Sequence, residues 1–466
     1  MFVGGLFTLF VIAALAFDVG MMLVERRDGQ NAADAAALAG ARYVLTDEVT
    51  AEAAAREIAL ANGFDDADPN EIVNVYIPAI HGIYAGMPGF IEVQIEGTRP
   101  SVFGGIIGRA AWPVGVMAVA TNAQNLTFPF SMLALDETAC KAIGVQGTGT
   151  IEAYANIQSN SSGADCDGVG FSRTGGSTID VIADDATCRS VGDVQDQGSG
   201  SMTCTAAPNS FALPDPLRNL PAPIKPPLPT PAMVPVGHTH ALPDNCPGAT
   251  PASKAPSEIA PKMCKIAQTG AFKDLEWILY PGLYPGGIEV DAGTTIYLMP
   301  GIYWIGGGGL IVKGGGSIVS IATEADATPN VADATFGGGV LIYNSTLPVA
   351  GGEAGEIHLN GTGATMKLKA FNVPVGDPLD IYNDIVLFQD RTVDEPIILN
   401  GSASGTEVAG VIYAPEGQVR LNGNGGSLTT DQIIAGTYDI NGNGGTIKVL
   451  HGVGFDSVII AAGLVE

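Results

Sequence analysis

The feature that most constrains the fold is a repeat in the second half of the chain. An apolar residue followed by Asn-Gly recurs at Leu359, Leu399, Leu421 and Ile440, at offsets of 40, 22 and 19. Offsets near multiples of about 20 residues are typical of solenoids. Short strands separated by Gly and Asn corners predict a parallel β-helix, in which successive coils stack. An antiparallel sandwich is the alternative, but it explains a constant Asn-Gly phase less well.

The corner asparagines are the side chains that this register brings together. Coils of similar length place them one above another, where their amides can form a hydrogen-bonded ladder. The residues concerned are Asn360, Asn400, Asn422 and Asn441. In the same register, Asn424 is expected to lie outside the ladder.

The β-helix is expected to occupy residues 126–466, with an interruption. Two Pro-Gly-x-Tyr corners, beginning at Pro281 and Pro300, lie 19 residues apart and support the same period. Closely spaced prolines between residues 214 and 235 cannot maintain a strand ladder. They predict an extended segment along the surface, within a Cys- and Pro-rich excursion at about 205–270.

The cysteines form an even set without the spacing of a zinc site. They are Cys140, Cys166, Cys188, Cys204, Cys246 and Cys264. A disulfide framework is therefore expected, which implies an oxidising compartment. Six cysteines allow fifteen pairings, of which the local pair Cys246–Cys264 is the first to test. Buried reduced thiols in a cytosolic protein are the alternative.

The chain opens with an apolar stretch that is long enough to cross a bilayer. Residues 1–17 carry no charge, and the apolar character continues to Val24 with Asp18 as the single interruption. About 20 apolar residues span a bilayer as a helix, so residues 1–24 are predicted to form a transmembrane or filament-core helix. The alanine-rich sequence that follows continues the helix to roughly 40 residues in all.

Three questions about this helix are open at the sequence level. A cleaved signal peptide is the alternative to an anchor, although it would need a basic region before the apolar run. Asp18 either has an assembly partner, because a charge within an apolar span is costly, or lies at the edge of a span that ends at Phe17. Arg26 and Arg27 would place the remainder in the cytoplasm by the positive-inside rule, whereas the cysteines favour an extracytoplasmic location.

The segment from Gln30 to Ala41 carries a resemblance to a known family. The sequence reads Ala-Phe-Asp18-Val-Gly, then Glu-Arg-Arg, then Gln30-Asn31-Ala-Ala-Asp34-Ala-Ala-Ala-Leu-Ala-Gly-Ala. It resembles the amino-terminal signature of TadE/TadG-like proteins of the bacterial tight-adherence (Flp, type IV-like) pilus system. The resemblance implies anchor and assembly roles for Asp18, Gln30, Asn31 and Asp34.

The resemblance also implies partners and a location. The partners would be other pilus-system subunits, with self-assembly as a further option, and the membrane through the first helix. The location would be the bacterial cell envelope, as a single-pass membrane protein or in an extracellular filament, with the bulk of the chain outside the cytoplasm.

Residues 25–125 are expected to form a small pilin-like α/β unit. The helix continues and is followed by three strands, which apolar alternation places at 72–77, 90–95 and 114–119. The predicted fold class is therefore α+β and all-β: a long hydrophobic N-terminal helix with this unit, followed by a parallel β-helix.

Composition limits the function. The net charge of −27 argues against nucleic-acid binding and against electrostatic docking on anionic lipid. Asp136 does not begin the Asp-x-Ser-x-Ser motif that holds the ion of a metal-dependent adhesion site.

Two further groups of residues are candidates for catalysis or metal binding. Asp384 with Asp390-Arg391 offers little for catalysis, and His238-Thr-His240 offers little for metal binding. We expect no enzyme activity and no cofactor. A structural pilus-system protein is favoured; the alternative is a membrane-tethered β-helix that binds or cleaves surface polysaccharide.

Overall fold

The structure is a computed structural model. It describes residues 2–45, 47–86, 89–183, 186–228, 233–239, 241–247, 257–267, 276–327, 336–361, 363–401, 406–424 and 426–464; a few side chains within these ranges, among them those of residues 2–11, are outside the description. The chain divides into two compact units. The first comprises Met1–Thr127 and Val458–Glu466, and the second comprises Phe128–Ser457.

The first unit begins with the long helix that the sequence predicts. Its leading elements are α1 Phe2–Ala41, α2 Glu48–Ala61, β1 Glu71–Tyr76, β2 Phe90–Pro100 and β3 Ala111–Phe128. The helix α1 has 40 residues, as expected. The strands β1, β2 and β3 form an antiparallel meander, and they cover the positions that apolar alternation indicates.

The second unit consists of short strands joined by tight corners. In chain order they are β4 Phe130–Ala134, β5 Ile143–Gly147, β6 Thr150–Ala153, β7 Asn156–Ser159, β8 Val169–Arg173, β9 Thr178–Val181, β10 Thr187–Ser190, β11 Asp193–Asp196, β12 Ser201–Met202, β13 Thr205–Ala207, β14 Met233–Pro235, β15 Cys264–Ile266, β16 Glu276–Leu279, β17 Gly282–Pro285, β18 Ile288–Val290, β19 Thr295–Leu298, β20 Gly301–Gly306, β21 Leu310–Val312, β22 Ser317–Ser320, β23 Gly339–Ser345, β24 Ile357–Leu359, β25 Thr365–Ala370, β26 Ile385–Gln389, β27 Ile397–Gly401, β28 Thr406–Asn424, β29 Ser427–Asn443 and β30 Thr446–Val449.

These strands form a large, predominantly parallel sheet, as the sequence predicts. Nearly every strand pairs with the strand three places further along the chain, for example β17 with β20, β18 with β21 and β19 with β22. The pairings produce three columns of strands, and three consecutive strands form what we call a tier. The long strands β28 and β29 bend at the corners and contribute to all three columns. Buried Ile, Leu and Val side chains from the three columns form one continuous core.

The tiers do not stack in chain order. Strand β29 pairs with β28 on one side and with β4 and β5 on the other, and β30 pairs with β6. The first tier, β4 to β6, therefore lies directly against the last one. The chain continues away from this junction through β7, β10 and β13, then starts again at the opposite end of the stack with β15 and β16.

A segment that we call the strap (residues 208–228 and 233–236) runs between the two ends of the stack. Near its start, the N–H and the C=O of Leu213 both bond the side chain of Asn160. At its end lies β14, which pairs with β16 in antiparallel orientation. The closely spaced prolines of the sequence lie in this segment. Pro229 and Pro231 lie outside the described residues. The short strands β13, β14 and β15 fall within the range of 205–270 that the sequence assigns to the excursion.

Three disulfides tie the second unit together, which confirms the expected disulfide framework. They join Cys140 to Cys166, Cys188 to Cys204, and Cys246 to Cys264. The Cys188–Cys204 bridge lies beside the paired strands β10 and β13, at one end of the stack. Cys264 lies in β15, at the other end. Terminal tiers have only one neighbour, so both ends of the stack receive a covalent link.

The last strand corrects the expected domain boundary. Strand β31, Ser457–Leu464, is a neighbour of β3 in the sheet of the first unit, whose order is β1-β2-β3-β31. The sequence places all residues up to 466 in the β-helix. The short apolar run 458–463 has no partner signal in the sequence, because an apolar strand fits any sheet edge equally well.

Candidate assembly site

The second half of α1 is held by close packing of small residues. Ala33, Ala37 and Ala41 are buried together with Ala55 of α2. A Cβ atom on Gly40 would lie 2.5 Å from Ile91 Cδ1 and 2.9 Å from the Ala51 carbonyl oxygen. The small residues of the signature are therefore what allows the helix to approach α2 and β2 so closely.

The polar residues of the signature have different surroundings. Gln30 Nε2 donates to Asp34 Oδ1 at 2.8 Å and to the Met117 carbonyl oxygen of β3 at 2.9 Å. Gln30 and Asp34 thus link the helix to the sheet within the chain, while Asn31 is exposed. Their predicted roles in assembly remain predictions.

Asp18 is held by a loop of its own chain. Its carboxylate accepts hydrogen bonds from Ser101 Oγ and from three backbone N–H groups, those of Val102 at 3.1 Å, Phe103 at 3.0 Å and Gly104 at 2.6 Å. A carboxylate that accepts several such bonds is compensated for its burial. Asp18 therefore has polar partners within this unit. The sequence gives no signal for this contact, because the partners lie more than 80 residues apart.

Between residues 12 and 24, several large apolar side chains of α1 are exposed. Ile12, Phe17, Met21 and Leu23 are among its exposed large side chains. No helix, judged on the described residues, is both long and apolar enough to cross a membrane.

A cavity of about 370 Å³ lies between α1 and the strands at this level. Met21, Met22, Val102 and Trp112 line its apolar part. Arg99 borders it and bonds Glu25 and Glu71, both at 2.6 Å. Burial alone would lower the pKa of Arg99, but its hydrogen bonds to Glu25 and Glu71 raise it, so the guanidinium stays charged.

The corner asparagines lie in the register that the repeat implies. Asn400, Asn422 and Asn441 face one another in neighbouring tiers, and Asn422 Nδ2 donates to Asn400 Oδ1 at 2.9 Å. Asn360 follows Leu359, which pairs with Leu399. The backbone of Asn424 also has a register partner, Asn443, so a second row of asparagines runs beside the first.

The strap covers a row of aromatic side chains on the second unit. Trp304, Tyr343, Phe388 and Tyr413 follow one another with ring centroids 5.0 to 5.4 Å apart. Trp304 Nε1 donates to the Pro223 carbonyl oxygen at 3.2 Å.

The strap is also fixed by charged groups. Arg391 donates to the carbonyl oxygens of Leu217 and Leu220. Tyr413 Oη donates to Asp215 Oδ2 at 2.7 Å; burial and this carboxylate raise the pKa of Tyr413 above its usual value.

The residues weighed above for catalysis or metal binding have structural partners. Asp390 bonds Tyr343 and Thr392, and Asp384 accepts from Asn372 at 3.2 Å. His238 bonds the Glu276 carbonyl oxygen at 2.9 Å, and His240 lies outside the described residues. In the part of the chain that the structure describes, no group of three or more His, Cys, Asp or Glu side chains is placed to hold a metal ion.

A groove of about 810 Å³ runs along the second unit beside the strap. Its walls come from several tiers and from strap residues 212–215. Carboxylates predominate among its charged groups, including Asp136, Glu137, Asp394 and Glu416.

Several large apolar side chains of α1 are exposed between residues 12 and 24, and the second half of the helix packs on a small sheet. Residues 1–42 match the model of a family described as putative Flp pilus-assembly TadE/G-like proteins. This match confirms the resemblance seen in the sequence and indicates a role in pilus assembly, in the cell envelope or in the pilus. No curated protein and no solved structure matches the chain significantly.

Proposed function

We propose that this protein is a structural, non-enzymatic component of a tight-adherence pilus system. The first part of α1, residues 1–24, anchors it in the membrane or in the apolar core of a filament. The observation that carries the proposal is the division of α1 within the family match. From Ile12 to Val24 its exposed large side chains are apolar, and its small residues are packed from Ala32 onward.

The second unit is proposed to be a parallel β-helix that projects outside the cell. Three columns of parallel strands, tight corners and tiers joined by register-matched asparagines support this interpretation. The three disulfides support an oxidising, extracytoplasmic location. Its partners are the other subunits of the pilus system.

The proposal is tested by replacing the residue that fixes the anchor to its own unit. Asp18→Ala removes the acceptor of four hydrogen bonds and should release the loop 101–104 from the helix. We expect the variant to remain in the envelope fraction but to lose its incorporation into pili or into the pilus assembly complex, as seen by electron microscopy and co-purification.

The matched control is Asp28→Ala, which removes an exposed carboxylate from the same helix. Pili should form normally with this variant. Normal pili in cells that lack the protein altogether would contradict the proposed function, whereas normal incorporation of Asp18→Ala would refute only the importance of the Asp18 contact.

A second candidate function is glycan binding by a membrane-tethered protein. The groove beside the strap favours it, because a cleft of this size across several tiers can accommodate an extended polymer. Binding of cell-surface polysaccharide by the intact protein, lost in Asp394→Ala and Glu416→Ala, would support it. Pilus defects without any glycan affinity would favour the structural role.

A further inference from the structure

The loop that holds Asp18 presents apolar side chains beside the helix. Phe103 contacts Phe17 edge to face, with ring centroids 6.0 Å apart. Val102 and Phe103 are 65% and 39% exposed. Because Asp18 binds the backbone of both residues, the loop is fixed at the level of Phe17 on the helix. We call Phe17, Met21, Val102 and Phe103 the apolar patch.

Exposed arginines occur close to the apolar patch in the sequence. Arg26 and Arg27 follow on α1 and are exposed, as is Arg109 at the end of the loop. The guanidinium of Arg109 lies over the ring of Trp112, 5.4 Å from its centroid. The arginines supply positive charge in a chain whose net charge is −27.

Trp112 carries a buried hydrogen-bond donor in the same part of the unit. Its indole Nε1 is buried and has no acceptor among the described residues. Trp112 lines the cavity that it shares with Met21 and Val102.

We propose that the apolar patch inserts into the interfacial region of a lipid bilayer. Val102 and Phe103 reach the boundary of the acyl chains, the Trp112 ring lies at the level of the head groups, and the arginines contact phosphates. Apolar side chains with a tryptophan and arginines at their edge are typical of the membrane interface. The inference rests on the membrane-anchored form of the proposed function and adds a second contact, made by the folded unit rather than by the helix.

The experiment uses the full-length protein in vesicles of phosphatidylcholine and phosphatidylglycerol. Lipids brominated near the head group quench tryptophans at the interface. The other two tryptophans, Trp277 and Trp304, are buried in the second unit. We expect quenching that is abolished by Trp112→Phe and mostly lost in Val102→Ser and Phe103→Ser.

The matched control is Val49→Ser, which changes a 79% exposed valine of the same unit on α2. It should leave the quenching unchanged. Equal quenching in Val102→Ser, Phe103→Ser and Val49→Ser would overturn the inference, as would unquenched Trp112 in protein that sediments with vesicles.

Two outcomes separate this inference from the proposed function. If the wild type does not sediment with vesicles at all, the membrane anchor fails and the patch contact fails with it. If the protein sediments normally and Trp112 is not quenched, the anchor stands and only the patch contact is refuted. Self-association without lipid that is lost in Val102→Ser, together with unquenched Trp112, would assign the patch to a second copy of the chain instead.

Discussion

At the scale of single residues, many of the contacts within each unit join residues that are far apart in the sequence. The Asp18 carboxylate accepts hydrogen bonds from Ser101 and Gly104. The Arg391 guanidinium donates to the carbonyl oxygens of Leu217 and Leu220. The corner asparagines are the exception, because their spacing in the sequence matches their register in the structure. Asn400 and Asn422 pair through their side chains, and both are only partly buried.

Replacing Asn422 with leucine tests this contact. The change removes the amide that donates to Asn400 and leaves that acceptor to be satisfied by water. We expect a loss of about 1 kcal/mol in the free energy of unfolding, measured by chemical denaturation. The matched control is Asn443→Ala, an exposed asparagine of β29, which should change stability by less than about 0.5 kcal/mol. Equal losses would show that the Asn400–Asn422 hydrogen bond is not stabilising.

At the scale of elements, the strap joins opposite ends of the stack and is held by side chains from several tiers. Its buried Leu213, Leu217 and Leu220 supply apolar contact. Its prolines disfavour strand pairing, so apart from β14 it remains on the surface rather than adding a tier. The polar contacts come from the side chains of Asn160, Trp304, Arg391 and Tyr413.

Removing Arg391 should therefore loosen the strap selectively. Arg391→Ala deletes two hydrogen bonds from a charged donor, and we expect a loss of about 2 kcal/mol in stability. Hydrogen exchange should increase in residues 212–223, and proteases should cut there sooner. The matched control, Arg420→Ala, removes an exposed arginine of β28 and should do neither. Unchanged exchange in the strap would mean that the leucines and prolines hold it without Arg391.

Many of the helices and strands could be predicted from the sequence, whereas the order in which the tiers stack could not. Alternation and alanine content predict α1 and the meander strands, and the Leu-Asn-Gly repeat predicts the register of β27, β28 and β29. Apolar strands of equal length are interchangeable in a parallel sheet, so no pattern indicates that β4 pairs with β29. For the same reason the apolar run in β31 does not show that it belongs beside β3.

At the scale of the whole molecule, the two ends of the stack carry disulfides where neighbouring tiers are missing. Cys188–Cys204 and Cys246–Cys264 close loops with sequence separations of 16 and 18. A disulfide that closes a loop of this size typically adds about 2 to 4 kcal/mol to the free energy of unfolding. The tiers in the middle have neighbours on both sides and depend less on such links.

Mass spectrometry and hydrogen exchange test this distribution. Unreduced protein should be lighter than reduced protein by six hydrogens, since all six cysteines are paired. After reduction, exchange should rise first in residues 187–207 and 264–290 and last in residues 411–435. Six free thiols in fresh protein would contradict the extracytoplasmic location, and uniform exchange after reduction would show that the bridges do not protect the ends.

The meeting of the first and last tiers has a mechanical consequence. The chain enters the second unit at Phe128 and leaves it at Ser457, and these positions flank strands that pair with each other in the middle of the stack. A force that pulled Phe128 and Ser457 apart would therefore act first on the β4–β29 and β6–β30 pairings, before it reached the outer tiers.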